Sequence, residues 1–187
     1  MSLSIALLTI SDTRSLADDH SGDALRQRLE GAGHALRERV IVPDDRYRIR
    51  AEVSRWIADP MVEVVISSGG TGLAGRDGTP EAVAPLLDKV IEGFGELFRV
   101  LSFETIGTST LQSRCLAGVA NGTLVFVLPG SRDAVETAWD RLIAAQLDAN
   151  TRPCNLVQLL PRLRESPDRP AEREQNSLKV RPNSVAD

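Results

Sequence analysis

The chain has 187 residues, 42% of them hydrophobic and 26% charged, which suits one globular domain with a sizeable core. Its formal net charge of −4 argues against non-specific binding to nucleic acid or to an anionic membrane. No apolar run approaches the ~20 residues of a membrane span, and the start lacks the basic region of a secretory peptide, so we expect a cytoplasmic protein. The two cysteines, Cys115 and Cys154, lack CxxC spacing, which argues against a structural zinc site.

Short apolar runs rich in β-branched residues predict the strands. They cover residues 3–10, 35–42, 62–66 and 123–128. Apolar residues at helical spacing predict helices at residues 22–32, 46–58, 80–91, 97–106, 114–120 and 132–147, with Ser21 and Ser131 as N-caps of the first and last. Alternating strands and helices predict a parallel sheet that is covered on both faces.

Polar motifs come directly after four of the predicted strands. In parallel sheets, ligands bind beyond the carboxyl ends of the strands, so one edge of the sheet could bring these motifs together. They are Ser11 with Asp12, Pro43 with Asp44, residues 68–72, and residues 129–131.

The glycine-rich stretch after the third strand is the strongest candidate for a phosphate site. Its members are Ser68, Gly69, Gly70, Thr71 and Gly72. Three glycines in four positions permit a sharp turn, and successive amides in such a turn form a concavity that holds anions. A helix start follows, predicted with Thr79 as N-cap and Pro80 as first helical residue. The stretch matches neither a P-loop nor a dinucleotide motif, so an ordinary turn that binds nothing is the alternative.

Two acidic residues, Asp77 and Asp44, could serve a magnesium–nucleotide site beside this turn. Mg²⁺ is usually held by one or two carboxylates together with substrate phosphates. The alternative for Asp44 is an ordinary turn aspartate after proline, and for Asp77 an ion pair with Arg76. Ser68, Ser113 and Ser131 could donate hydrogen bonds to phosphate oxygens, although turn and cap positions need no function.

The motifs SGGTG, RD, TPEA, GFGE, SR and LPGS occur in this order, and their combination resembles the MoaB/Mog family of molybdenum cofactor biosynthesis proteins. The resemblance covers about residues 3–160. The segments GTSTLQSR and TRPCN look closer to the MoaB branch. The resemblance implies a three-layer α/β fold with a mostly parallel sheet, assembled as a homotrimer or homohexamer.

The resemblance also implies a ligand and a reaction. Family members bind molybdopterin, and active members adenylylate it with MgATP and release pyrophosphate. Asp77 and Asp44 match the family's two functional aspartates, with Mg²⁺ as their expected ligand. The loop from Ser68 to Gly72 matches its ligand loop, whereas Ser113, Gly130 and Ser131 match positions that line the pterin side. The alternatives are a non-catalytic protein that binds molybdopterin or a partner, and a different nucleotide-dependent enzyme on a similar sheet.

The last part of the chain differs in composition from the rest. Residues 164–187 are rich in charged residues and proline and contain few large apolar residues. Such a segment buries too little apolar surface to offset its ordering entropy, so we expect it to be disordered or loosely attached. We therefore expect a ligand-binding domain at residues 1–163 followed by a tail.

Overall fold

The structure is a computed structural model that describes residues 1–163. Its centre is a six-stranded sheet. The strands are β1 Ser4–Ile10, β2 Ala35–Val42, β3 Val64–Ser68, β4 Lys89–Val90, β5 Leu116–Ala120 and β6 Thr123–Leu128. Their order in the sheet is β2-β1-β3-β6-β5-β4, in which β2, β1, β3 and β6 are parallel. β5 runs antiparallel to β6, and β4 runs antiparallel to β5. The predicted mostly parallel sheet is confirmed, and the predicted tail at residues 164–187 lies outside the described residues.

Helices cover both faces of the sheet. They are α1 His20–Gly31, α2 Arg46–Ala58, α3 Thr79–Val83, α4 Glu92–Ile106, α5 Arg132–Ala138, α6 Ala144–Leu147 and α7 Leu160–Leu163. A π-helical turn, Trp139–Ile143, joins α5 to α6. No helix among the described residues is long and apolar enough to cross a membrane.

Alternate side chains of the parallel strands enter two separate cores, which gives the molecule three layers. On β3, Val64 and Ile66 pack with α1, α4 and α5, whereas Val65 packs with α2 and α3. All five residues of β3 are buried, as expected for a central strand with helices on both sides. The three-layer α/β fold is therefore confirmed.

The predicted helix at residues 114–120 is wrong, because this segment contains strand β5. A tight turn at Asn121 and Gly122, both with positive φ, pairs the strand with β6. Gly118 supplies a further reason: a Cβ there would lie 2.6 Å from the carbonyl oxygen of Lys89. The small residues of β5 therefore allow β4 to pack closely against it. The segment has little intrinsic strand preference, so pairing with its neighbours determines its conformation.

Two other predicted helices have different boundaries. The helix predicted at residues 80–91 is only α3, followed by a 3₁₀ turn, Ala84–Leu86, and β4. Pro85 explains the early end, because proline has no N–H to donate to the carbonyl four residues earlier in an α-helix. The helix predicted to begin near residue 97 is α4, which begins at Glu92 and includes the GFGE motif.

Candidate functional site

An open cleft of about 670 Å³ lies at the edge of the sheet where the parallel strands end. The loops after β1, β2, β3 and β6 form its floor, as the strand order predicts. The end of α4 and the 3₁₀ segment Gly107–Gln112 form a wall that sequence reasoning did not assign. Nine of the ten candidate site residues line this cleft: Asp44, Gly69, Gly70, Thr71, Gly72, Asp77, Ser113, Gly130 and Ser131. Ser68, the tenth, is buried one residue behind the floor.

The floor of the cleft is a bend at Gly69 and Gly70, where φ is +109° and +63°. Gly69 N–H donates to the Leu128 carbonyl at 3.0 Å, which ties the bend to β6. The Thr79 hydroxyl donates to the Gly69 carbonyl at 2.9 Å, and Thr79 N–H donates to the Gly70 carbonyl at 3.0 Å. Thr79 is therefore not the N-cap that the sequence suggested: Gly78 has that position, and the threonine fixes the bend.

Gly70→Ala is expected to damage the site because this residue has both positive φ and no room for a side chain. An added Cβ would lie 2.3 Å from the Thr79 hydroxyl and 3.1 Å from both carboxyl oxygens of Asp44. We expect a loss of about 1–2 kcal/mol in the free energy of unfolding from the left-handed backbone alone. Urea unfolding measures the loss. Gly75→Ala is the matched control, since Gly75 has negative φ and no atom within 4 Å of its added Cβ; an equal loss in both variants would contradict the prediction.

The acidic end of the cleft contains Asp44 and Asp77. Asp44 Oδ1 is buried and has no hydrogen-bond partner among the described residues. Burial raises the pKa of Asp44, and the negative charges of Asp77 and Asp12 raise it further. Asp77 Oδ2 accepts from Ala74 N–H at 2.8 Å, which orients this carboxylate at the turn. The two carboxylates repel each other, so this end of the cleft favours a bound cation.

Arg76 does not pair with Asp77, as one reading of the sequence suggested. It donates to Asp12 Oδ1 at 2.9 Å and to the Asp44 carbonyl at 3.2 Å. Asp44 N–H donates to the same Asp12 oxygen at 3.1 Å. This pairing links the loops after β1, β2 and β3, and it leaves the Asp77 carboxylate without a guanidinium partner among the described residues.

The hydroxyls at the site fall into two groups. Ser68 Oγ and Ser113 Oγ are buried without a hydrogen-bond partner in the described part of the chain. Ser131 Oγ accepts from Ala134 N–H at 3.3 Å and caps α5, as predicted. Buried polar side chains normally have partners, so Asp44 Oδ1, in the lining of the cleft, marks a place where a polar ligand would complete the hydrogen bonding. Ser68 Oγ lies behind the floor, and Ser113 Oγ lies beside the Cys115 thiol.

Two arginines of the site were not recognised from the sequence. Arg14 lines the cleft and donates to Ser21 Oγ at 2.7 Å and to the Gly130 carbonyl at 3.3 Å. Arg114 contacts the glycine loop itself and also forms an ion pair with Glu81. Both could have been suspected, because Arg14 is the first basic residue after β1 and Arg114 follows the candidate Ser113.

The carboxylates present would suit Mg²⁺ held jointly with a ligand. Within residues 1–163, no group of three or more Asp, Glu, His or Cys side chains could hold a metal alone. Asp44 and Asp77 instead offer a pair of hard oxygen ligands, one of them with an unpartnered buried oxygen. Mg²⁺ commonly binds one or two carboxylates and completes its shell with water and substrate phosphates, so this donor set fits.

Comparison with known proteins identifies close relatives. The family model described as "Probable molybdopterin binding domain" matches residues 6–149. Molybdenum cofactor biosynthesis protein B of Escherichia coli (strain K12) is 58% identical over 151 residues, which cover 81% of this chain and 89% of the relative. A crystal structure of a molybdenum cofactor biosynthesis protein B has a TM-score of 0.79 at 39% identity and covers 87% of this chain and 96% of the other. The tungsten cofactor synthesizing protein MoaB from Pyrococcus furiosus has a TM-score of 0.71 at 32% identity, with coverage of 88% and 98%.

Proposed function

This chain belongs to the MoaB family of molybdenum cofactor biosynthesis proteins, and on that premise we propose that its cleft transfers an adenylyl group from ATP to molybdopterin. The family model covers the molybdopterin-binding domain, and the cleft residues at positions 44–131 lie inside the matched range. We assign both substrates to the domain formed by residues 1–163.

One observation carries the proposal. Asp44 Oδ1 is buried without a partner among residues 1–163, beside a second carboxylate and next to a glycine bend, in a cleft of about 670 Å³. A buried polar oxygen without a partner costs folding free energy, so its presence favours a role that a ligand completes. Mg²⁺ bound with a polyphosphate would supply positive charge beside the two carboxylates, and the loop amides would be available to phosphate oxygens.

The reaction needs positioning more than a nucleophile from the protein. An oxygen of the molybdopterin phosphate forms a bond to the α-phosphorus of ATP, the bond to the bridging oxygen of the β-phosphate breaks, and pyrophosphate leaves with that electron pair. Asp44 and Asp77 would hold and orient Mg²⁺, and the amides at residues 70–72 would contact phosphate oxygens, since Gly69 N–H is already used by the Leu128 carbonyl. Mg²⁺, when bound, supplies charge neutralisation for the polyphosphate. Ser113, Gly130 and Ser131 line the pterin side.

Pyrophosphate release by the purified protein tests this function. We expect release that requires molybdopterin, ATP and Mg²⁺ together, with adenylylated molybdopterin as the second product. The second candidate is a binding protein without turnover, favoured by the same open cleft, whose buried Asp44 oxygen lacks a partner among the described residues and could be satisfied by any polar ligand. Saturable molybdopterin binding without pyrophosphate release would select that candidate.

Self-association is the second part of the proposal, and the exposed side of α4 supports it. Leu97, Val100 and Phe103 recur at every third position and are each more than half exposed, whereas Ile106, further round the helix, lines the cleft. Apolar stripes of this kind on a helix mark interfaces rather than solvent-facing surfaces. We therefore assign this stripe to contacts between copies of the chain, in a homotrimer or homohexamer.

Val100→Glu is expected to dissociate the assembly, because a charge at the middle of the stripe would be buried without a partner. Sedimentation velocity at fixed protomer concentration measures the change, and we expect the variant to sediment as a smaller species. Met61→Glu is the control, since Met61 is 60% exposed in the turn between α2 and β3, away from α4. A wild-type sedimentation coefficient for Val100→Glu would remove the stripe from the interface.

A further inference from the structure

Arg114 reaches from the start of β5 across the cleft to the glycine loop. Its Nε donates to the Thr71 carbonyl at 3.2 Å and to the Gly72 carbonyl at 2.9 Å. Its Nη2 donates to the Asp77 carbonyl at 3.1 Å, and its Nη1 pairs with Glu81 of α3. One guanidinium group thus contacts the beginning of the loop, the acidic residue at its end and the helix that follows.

The chemistry of these contacts favours a positioning role for Arg114. A planar guanidinium with five donors can satisfy several acceptors at once, whereas a lysine ammonium is a point charge on a flexible chain. The carbonyls of residues 71, 72 and 77 belong to an irregular turn, outside any helix or strand. The guanidinium of Arg114 holds these carbonyls, and the Arg76–Asp12 ion pair holds the same turn to the loop after β1.

Arg114 links the glycine loop to the segment that ends at Ser113. Ser113, immediately before Arg114, lines the cleft at the end of the 3₁₀ segment Gly107–Gln112. Gly72 also lines the cleft, and a Cβ there would lie 2.7 Å from Asp77 Oδ2. A shift of the loop by even 1 Å would therefore move the Asp77 carboxylate relative to the unpartnered oxygen of Asp44.

We propose that Arg114 is a positioning residue that sets the geometry of the glycine loop and of the Asp77 carboxylate. It acts on backbone carbonyls and not on substrate, so its effect passes through Asp77 and the loop amides. The catalytic part of this inference rests on the proposed adenylyl transfer, whereas the effect on the loop does not.

Hydrogen exchange of the ligand-free protein tests the effect on the loop. In Arg114→Lys we expect the hydrogen-bonded amides of this loop, those of Ala74 and Asp77, to exchange about tenfold faster or more, because the lost bonds are charge-assisted. Exchange in β1, β3 and β6 is expected to stay at the wild-type rate. Arg26→Lys, on the exposed side of α1, is the matched control and should leave the loop unchanged.

Glu81→Gln separates the carbonyl contacts from the ion pair. It removes the charge partner of Arg114 but leaves the carbonyls of residues 71, 72 and 77 in place. We expect loop exchange within about threefold of wild type in this variant, since partly exposed ion pairs contribute little. Loop exchange that rises as much in Glu81→Gln as in Arg114→Lys would overturn the proposal, because the pair alone would then hold the loop.

The Mg²⁺ concentration needed for half-maximal turnover is a readout that general destabilisation would not change. In Arg114→Lys we expect pyrophosphate release to fall about 100-fold at saturating substrates, with a higher Mg²⁺ concentration for half-maximal rate, because Asp77 is misplaced. Unchanged loop exchange and unchanged Mg²⁺ dependence would overturn the proposal.

If the lysine variant does not fold, Arg114→Gln with added guanidinium ion replaces it. Restored protection of the loop amides would support the proposal. Failure of both variants to fold would contradict a local role for Arg114. If the wild type shows no turnover, the proposed function fails while the exchange comparison still decides the role of Arg114.

Discussion

Asp77→Asn and Asp44→Asn are each expected to lower adenylyl transfer by roughly 10²–10³-fold, the size of effect seen when one preorganised electrostatic contact to a transition state is lost. Asparagine has nearly the same shape as aspartate, so the loop contacts remain available, including an acceptor for Ala74 N–H. The change removes one negative charge from the site proposed to hold Mg²⁺. Initial rates of pyrophosphate release at several Mg²⁺ concentrations measure the effect.

The stability of the Asp44 variant makes this prediction specific to function. Asp44 Oδ1 has no partner, and the neighbouring charges of Asp77 and Asp12 oppose its ionisation. A neutral amide relieves that repulsion, so we expect Asp44→Asn to unfold at the wild-type temperature or above while it loses activity. This pattern is typical of residues that are retained for activity at the expense of stability. Asp18→Asn is the control, because Asp18 is exposed and its carboxylate accepts a hydrogen bond from the Ser15 hydroxyl, away from Asp44 and Asp77. Full turnover in both cleft variants would remove the acids from the mechanism.

The sequence predicted the parallel part of the fold well, for a physical reason. Strands β1, β3 and β6 are short runs of large apolar residues between turn signals, and a buried parallel strand requires that composition. The location of the cleft followed, because loops after parallel strands meet at one edge of the sheet. Strand β5 was mistaken for a helix because its small residues have no strand signal of their own and only pairing with β6 and β4 defines it.

Long-range contacts of single side chains could not be predicted from local pattern. The loop contacts of Arg114 join residues 37 to 43 positions apart, so nothing near Arg114 in the sequence indicates them. The first N-cap was misplaced for a similar reason. Ser21 has a hydroxyl suited to capping, but the cap of α1 is Asp19, whose carboxylate accepts from Gly22 N–H. Arg39, 20 residues later, donates to this buried carboxylate.

Arg39→Met is expected to lower the free energy of unfolding by about 3–5 kcal/mol, because it removes the nearer of the two guanidinium groups that face a buried carboxylate. Asp19 is fully buried, and Arg39 Nη2 donates to its Oδ2 at 2.9 Å and to its carbonyl at 2.9 Å. Arg39 Nη1 also donates to Asp23 Oδ1 at 2.6 Å. Urea unfolding at fixed protomer concentration measures the loss. Arg37→Met, on the same strand, is the matched control: Arg37 is half exposed and has a single ion pair at 3.7 Å, so we expect a loss below about 1 kcal/mol.

The pH dependence of unfolding gives a second test of the same pair. Burial acts to raise the pKa of Asp19, but hydrogen bonds from Thr9, Gly22 and Arg39 outweigh it and hold the pKa below its ordinary value. A depressed carboxyl pKa contributes stability above the unfolded pKa of about 4, and that contribution is lost as the pH falls through the folded value. Without Arg39 the pKa of Asp19 rises, so acid unfolding of Arg39→Met should begin at higher pH than in the wild type. Parallel acid-unfolding curves for the two proteins, shifted only by overall stability, would show that Asp19 does not depend on Arg39. Arg14, which lines the cleft, lies 3.9 Å from the Asp19 carboxylate and donates to Ser21 Oγ at 2.7 Å. Loss of the Arg39–Asp19 pair should therefore also change the position of Arg14 in the cleft.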